Sequence, residues 1–177
     1  MKKYMILFTV GKDRPGIVND VSTLLFQHGA NIEDSRMAAL GGCFSIMTLF
    51  SALPRDLETI KEAVRGLQQV GLESFLYEAE DPGSKQPKPS LPLYVEARAI
   101  DHPGIVKRVV HILHQHNVNI QSLKTDVNRA PLSGAPLLEL SLEADVPADA
   151  SIAGIKEKLS DLAVEMNLDL SFIRNPV

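Results

Sequence analysis

The first apolar segment of the chain, residues 4–10, carries apolar side chains at almost every position. Successive side chains of a strand point to opposite faces of its sheet. The two faces here are Tyr4, Ile6, Phe8 and Val10 on one side, and Met5, Leu7 and Thr9 on the other. Apolar groups on both faces are typical of the centre of a sheet, so we predict a central strand that is largely covered.

The spacing of apolar positions then changes to that of a helix. A stripe with i, i+1, i+4, i+7 and i+8 spacing predicts a helix with one buried face, made of Ile17, Val18, Val21, Leu24 and Leu25. Gly29 predicts its C-terminal cap. A second helix is predicted to open at residues 54–56, with Leu57, Ile60, Val64 and Leu67 on one face. The remaining strands are predicted at residues 31–39, 44–53 and 75–79, with the first two joined at Gly41-Gly42.

The same plan occurs twice. Asp13-Arg14-Pro15-Gly16-Ile17-Val18 recurs 88 positions later as Asp101-His102-Pro103-Gly104-Ile105-Val106, and His28, Asn31 and Ile32 recur at the same offset as His116, Asn119 and Ile120. The second copy predicts strands at 93–100, 120–127, 137–144 and 169–173, and helices from Ile105 and over 152–166. Its hairpin, residues 128–136, is longer than the first. Each copy therefore has the order β-α-β-β-α-β, which predicts an α+β protein of two ferredoxin-like units, each an antiparallel sheet with both helices on one face.

Between the copies lies a proline-rich stretch, residues 81–92, with Pro82, Pro87, Pro89 and Pro92. Such a composition is expected to form neither a helix nor a paired strand, and to run extended as a semi-rigid spacer. We therefore predict a first domain at residues 1–80, a linker at 81–92 and a second domain at 93–177. Open sheet edges on units this small favour pairing of units or of chains, so a homo-oligomer is expected.

The repeated Asp-x-Pro-Gly turn is the chief candidate for a binding site. A proline is tolerated in the first turn of a helix, and a glycine beside it lets another group approach the backbone. The unpaired N–H groups at a helix N-terminus attract anions such as a carboxylate. The alternative is a plain strand-to-helix turn, in which Asp13 or Asp101 satisfies nearby N–H groups and the glycine is needed only for its conformation.

Composition and charge exclude several classes of function. The net charge is −4, the pI is near 5.7 and no Lys/Arg run occurs, so direct binding to nucleic acid is not expected. The apolar segments are strand-length and no signal peptide is recognisable, which predicts a cytoplasmic protein without membrane attachment. The single cysteine, Cys43, fits a reducing compartment and completes no metal set. No nucleophile elbow, phosphate loop or dinucleotide fingerprint occurs, so neither catalysis nor a cofactor is predicted.

The two units resemble tandem ACT domains, which are small-molecule-sensing modules of amino-acid metabolism. The resemblance rests on Asp-x-Pro-Gly-Ile-Val after each first strand and on Asn-Ile opening each second strand. More narrowly, residues 11–19 and the string Asn31-Ile32-Glu33-Asp34-Ser35-Arg36-Met37, followed by Leu40-Gly41, resemble the glycine cleavage system transcriptional repressor group. That group consists of stand-alone ACT pairs that lack a DNA-binding domain and act on a LysR-type activator.

The resemblance implies a ligand site at the interface between neighbouring units. It would take a small amino acid, plausibly glycine, with an Asp carboxylate for its ammonium group, helix N–H groups for its carboxylate, and an Asn amide for either. The residues carried over are Asp13, Arg14, Pro15, Gly16, Ile17, Asn31 and Ile32 in the first unit, and Asp101, His102, Gly104, Ile105 and Asn119 in the second. Because Arg14 differs from His102 and the second hairpin is longer, two sites, one site or none are all open.

The function expected from these observations is a non-enzymatic, amino-acid-sensing regulator that acts through a LysR-type transcription activator. The alternative is a regulatory subunit that docks on an enzyme of amino-acid or one-carbon metabolism, and a small enzyme of unfamiliar chemistry is a third. Glu33, Asp34 and Arg36 are expected to be solvated or to form cross-strand pairs, or else to form a surface for a partner.

Overall fold

The computed structural model describes residues 1–84, 89–131 and 133–173. The chain divides into two compact units, Met1–Gln86 (unit 1) and Pro87–Val177 (unit 2). Each unit has its own four-stranded sheet and its own apolar core. The predicted fold class, two ferredoxin-like units with antiparallel sheets, is confirmed.

Unit 1 forms a sheet with the strand order β2-β3-β1-β4, in which every neighbouring pair is antiparallel. Its elements are β1 Lys3–Lys12, α1 Ile17–Gln27, β2 Asn31–Leu40, β3 Cys43–Ala52, α2 Leu57–Gly66 and β4 Leu72–Ala79, with single 3₁₀ turns at Pro54–Asp56 and Leu67–Val70. The first strand is central, as predicted. The last strand begins at Leu72 and not at residue 75, because the buried Leu72 side chain closes the core beneath β1.

The core of unit 1 lies between one face of this sheet and its two helices. Leu7 and Phe50 of the sheet are fully buried with Leu25 of α1 and Ile60 of α2. The buried stripe of α1 is narrower than predicted, since Val18 is 41% exposed. One residue corresponds to a turn of about 100° around a helix, so the side chain that follows the buried Ile17 points away from the sheet.

Unit 2 repeats this arrangement with the strand order β6-β7-β5-β8. Its elements are β5 Ser90–Ile100, α3 Ile105–Gln115, β6 Asn119–Arg129, β7 Pro136–Pro147, α4 Ile152–Met166 and β8 Asp169–Ile173. The bounds of α4 and β8 are those predicted from the apolar spacing. Its core places Val95 and Leu140 of the sheet against Val109 and Leu113 of α3 and Leu159 of α4.

The stretch predicted as a strand-free linker, residues 81–92, is not strand-free at its end. Residues 85–88 lie outside the described part of the chain, Pro82–Ser84 forms a 3₁₀ turn, and β5 already begins at Ser90. Pro92 sits in the ladder opposite Asp145 of β7. Strand β8 reaches only to Tyr94 within the described residues, so Pro92 lies where β5 has one described neighbour, and a proline is tolerated at such an edge.

Candidate functional site

The Asp-x-Pro-Gly turns link the end of the central strand to the first helix in both units. Gly16 and Gly104 are the N-cap residues of α1 and α3, with φ of 96° and 106°. This left-handed backbone strains any residue with a Cβ, which explains the glycine. The prediction that the proline lies in the first helical turn is wrong, because Pro15 and its counterpart precede the N-cap and shape the turn itself.

The two aspartates of the turns form hydrogen bonds through their backbone N–H groups and not through their carboxylates. The Asp13 N–H donates to the Gly42 carbonyl at 2.9 Å, and the Asp101 N–H donates to the Pro136 carbonyl at 2.8 Å. Both acceptors belong to the hairpin of the same unit. Neither carboxylate has a hydrogen-bond or ion-pair partner within 1–84, 89–131 and 133–173, and no side chain caps either helix. The plain-turn alternative expected bonds from nearby N–H groups to these carboxylates, and no such bond occurs among the described residues. Its second part, a glycine needed for its conformation, agrees with the positive φ of Gly16 and Gly104.

The variable residue of the motif makes different contacts in the two units. Arg14 forms an ion pair with Asp20 of α1 at 2.8 Å, and its guanidinium also donates to the Pro15 carbonyl at 3.3 Å. Within the described residues, the His102 side chain makes a single polar contact, between a ring nitrogen and the Pro103 carbonyl at 3.3 Å. A cation therefore borders the turn of unit 1 at a position where unit 2 carries an imidazole.

A shallow cavity of about 290 Å³ opens at the turn of unit 1. Its lining consists of Asp13, Arg14, Gly16, Ile17, Val18, Asn19 and Phe44. The Ile17 side chain is buried in the core, so Ile17 can offer a ligand its backbone N–H but not its side chain. A free carboxylate and an uncapped helix N-terminus at one small cavity can pair with the ammonium and carboxylate groups of a small amino acid.

The asparagines predicted to share this site lie elsewhere in each unit. Asn31 and Ile32 open β2 after the C-terminus of α1, and Asn119 opens β6 after α3. Each of these helices has 11 residues and is about 16 Å long, so it separates the turn from the asparagine of the same unit. Neither unit by itself brings the two predicted parts of the site together.

The asparagines belong to a polar cluster built on a β-bulge, which the sequence did not indicate. The pairing of β2 with β3 shifts between Ile32 and Asp34, which leaves Glu33 as the extra residue. One Glu33 carboxylate oxygen accepts a bond from the Ser51 hydroxyl at 2.6 Å and another from the Asn31 amide at 3.0 Å. These two donors, Ser51 first, hold the pKa of Glu33 below its ordinary value.

Unit 2 has a β-bulge at the equivalent place in β6, but its carboxylate belongs to the neighbouring strand, β7. The register of β6 with β7 shifts between Ile120 and Ser122, and Gln121 is the extra residue. Its side-chain amide donates to the carboxylate of Asp145, which pairs across the ladder with Asn119, as Ser51 pairs with Asn31. Both units therefore place one carboxylate and one asparagine at this corner of the sheet.

Comparison with known proteins agrees with this architecture. The family model of the ACT domain matches residues 3–75, which is almost all of unit 1. The glycine cleavage system transcriptional repressor of Escherichia coli K12 is 30% identical over 166 residues, which cover 93% of this chain and 86% of that protein. The chain belongs to the glycine cleavage system transcriptional repressor group of ACT-domain proteins.

Solved structures extend the similarity to the whole of this ACT-domain chain. An unknown protein from Galdieria sulphuraria is 27% identical with a TM-score of 0.84, over 97% of this chain and 98% of the other. A protein provisionally named a glycine cleavage system transcriptional repressor is 24% identical with a TM-score of 0.72 over 99% of both chains, which shows a shared fold. Within the described ranges of this chain, no helix is long and apolar enough to cross a membrane.

Proposed function

We propose that this chain is a non-enzymatic regulator that binds a small amino acid at its Asp-x-Pro-Gly turns. The observation that carries the proposal occurs in both units: an aspartate carboxylate with no partner in the described part of the chain lies beside a helix N-terminus that no described side chain caps. The ligand's ammonium group would bind Asp13 or Asp101. Its carboxylate would accept from the backbone N–H groups that begin with Gly16 and Ile17, or with Gly104 and Ile105.

The size and charge of the cavity favour a very small ligand. A volume of about 290 Å³ lies at the lower end of pockets that hold small molecules, and glycine adds no side chain to the two charged groups. Arg14 and Pro15 would shape the unit 1 site, and His102 the unit 2 site. Asn31, Ile32 and Asn119 remain proposed ligand residues, but an asparagine that reaches a bound ligand cannot be that of the same unit.

The regulated process would be expression of the glycine cleavage system, as the name of the E. coli relative states for that protein. A net charge of −4 disfavours direct DNA binding. We therefore propose that the chain acts in the cytoplasm on a LysR-type transcription activator. A ligand changes such a contact only through its different affinities for the free and the partner-bound states, which typically amounts to about 1–3 kcal/mol of coupling.

Affinity capture tests the partner half of this proposal. Tagged full-length protein is incubated with lysate of the source cells, with and without glycine, and the captured proteins are identified by mass spectrometry. We expect a LysR-type activator whose recovery changes with glycine. Recovery of an enzyme of amino-acid or one-carbon metabolism would instead support a regulatory subunit. Recovery of the activator by a tagged Asp13→Asn, Asp101→Asn double variant with an unchanged glycine response would contradict regulation through the turns.

A further inference from the structure

The sheet of unit 1 has a second face that its helices do not cover, and that face is apolar. We call it the open face; its apolar members are Ile6, Phe8, Val10, Met47, Leu49, Phe75 and Tyr77. Phe8 and Phe75 stack with their ring centroids 4.7 Å apart, yet Phe75 is 62% exposed and Tyr77 is 66% exposed. Apolar side chains grouped in this way on a surface mark an interaction site.

Unit 2 shows that the fold does not require an apolar open face. The residues at the corresponding ladder positions are Tyr94, Glu96, Arg98, Ser141, Glu143, Ser171 and Ile173. Five of these seven are charged or carry a hydroxyl on a short side chain, and Arg98 forms an ion pair with Glu139 at 3.1 Å across that face. The same backbone is therefore stable with a solvated face, so the apolar groups of unit 1 serve another purpose.

An acidic and a basic residue lie next to each other at the border of the open face of unit 1, so that a second copy related by a two-fold axis would present opposite charges to them. Asp34 lies beside Leu49, in the row of Ile6, and Arg36 lies beside Met47, in the next row. Within one copy these two side chains form an ion pair at 2.5 Å, and both stay more than half exposed, so each can take a second partner across an interface. A two-fold axis in the plane of the face, across the strands and between these rows, would place Asp34 of one copy opposite Arg36 of the other. The same axis sets Ile6 against Phe8 and Leu49 against Met47.

The size of the face suits a modest dimer. Four strands about 4.8 Å apart and four rows about 6.8 Å apart cover roughly 500 Å² on each copy. Two copies would bury about 1,000 Å², which is close to the lower limit for a specific interface, with an apolar centre and a charged rim. We propose that two copies of this chain associate through the open faces of unit 1, with alternating Asp34 and Arg36 charges at the rim.

Charge substitutions at the rim test this proposal by sedimentation velocity over a range of protein concentrations. Wild type should dimerise as concentration rises. Arg36→Asp should weaken the dimer about tenfold or more, since it brings four carboxylates together at the interface. The exchange Asp34→Arg/Arg36→Asp should restore the dimer, because each cation again lies opposite a carboxylate of the other copy. Lys124→Asp, the equivalent change in unit 2, should leave association unchanged.

A substitution at the apolar centre provides an independent arm. Phe75→Ser introduces the residue type found at this position in unit 2. The Phe75 side chain is mostly exposed in the folded unit, so its loss should not prevent folding. The change should raise the dimer dissociation constant about tenfold or more. A chain that stays monomeric at every concentration would overturn the proposal. So would a dimer that Phe75→Ser leaves intact, or one that the charge exchange fails to rescue. Amino-acid binding is not involved in any of these outcomes.

Discussion

Gly16 and Gly104 are the residues whose backbone conformation most directly explains their identity. Both lie in the left-handed region, with φ near +100°, and reverse the chain between strand and helix. The repetition of the motif located these turns in the sequence. The role of each residue in the motif could not be predicted from the repetition. A shift of one residue in the start of the helix decides whether Pro15 lies in the helix or before the N-cap, and spacing alone does not determine that start.

A change of Gly16 to Ala should lower the free energy of unfolding by about 1–2 kcal/mol through left-handed strain. Steric clash contributes little, since the new Cβ would meet only an Arg14 guanidinium nitrogen at 3.7 Å. The matched control is Gly66→Ala, because Gly66 is helical with φ of −63° and has open space around it. That change should stabilise the protein by about 0.4–1 kcal/mol. Urea denaturation measures both, and equal effects of the two changes would refute the assignment.

The strands and helices show what apolar spacing can and cannot predict. Helix α4 and strand β8 match their predicted bounds because their inward-facing positions, buried in α4 and half-buried in β8, recur regularly. Strand β5 begins three residues early, because a proline at a strand edge loses no ladder bond. The bulges at Glu33 and Gln121 were not predictable, since a bulge depends on the pairing of two strands and not on either strand alone.

The bulge cluster of unit 1 should make stability depend on pH in a defined direction. The pKa of Glu33 is lowered by folding, so the carboxylate stabilises the folded state above the ordinary glutamate range, and that contribution is lost as the pH falls through the lowered pKa. Glu33→Gln should therefore destabilise the protein at pH 7 and have a smaller effect near pH 3. Chemical denaturation at the two pH values measures the difference.

Ser51→Ala is the test of the cause, because the Ser51 hydroxyl is the main donor to this carboxylate. In a Ser51→Ala background the effect of Glu33→Gln at pH 7 should shrink, since the two side chains interact directly. Additive effects of the two changes would mean that the bond does not carry the pH dependence.

At the scale of the whole molecule, duplication has produced two units with one backbone plan and different surfaces. The plan was predictable, because cores and turns recur at a fixed offset. The differences lie in exposed positions: a cation or an imidazole at the turn, Glu33 or Asp145 at the bulge, and an apolar or a charged open face. Exposed residues are not constrained by the fold, so their contacts could be assigned only after the register of the strands was known.

The central claim, that the turns bind a small amino acid, is tested most directly by titration calorimetry of the full chain with each of the twenty amino acids. We expect one small amino acid to bind, and Asp13→Asn, Asp101→Asn or both to weaken it roughly ten- to a hundredfold, the worth of a charge-assisted hydrogen bond. Asp149→Asn, at an exposed position beyond the end of the unit 2 sheet that is opposite the Asp101 turn, should bind as wild type does. Binding of no amino acid, or binding that survives both turn substitutions unchanged, would contradict the claim.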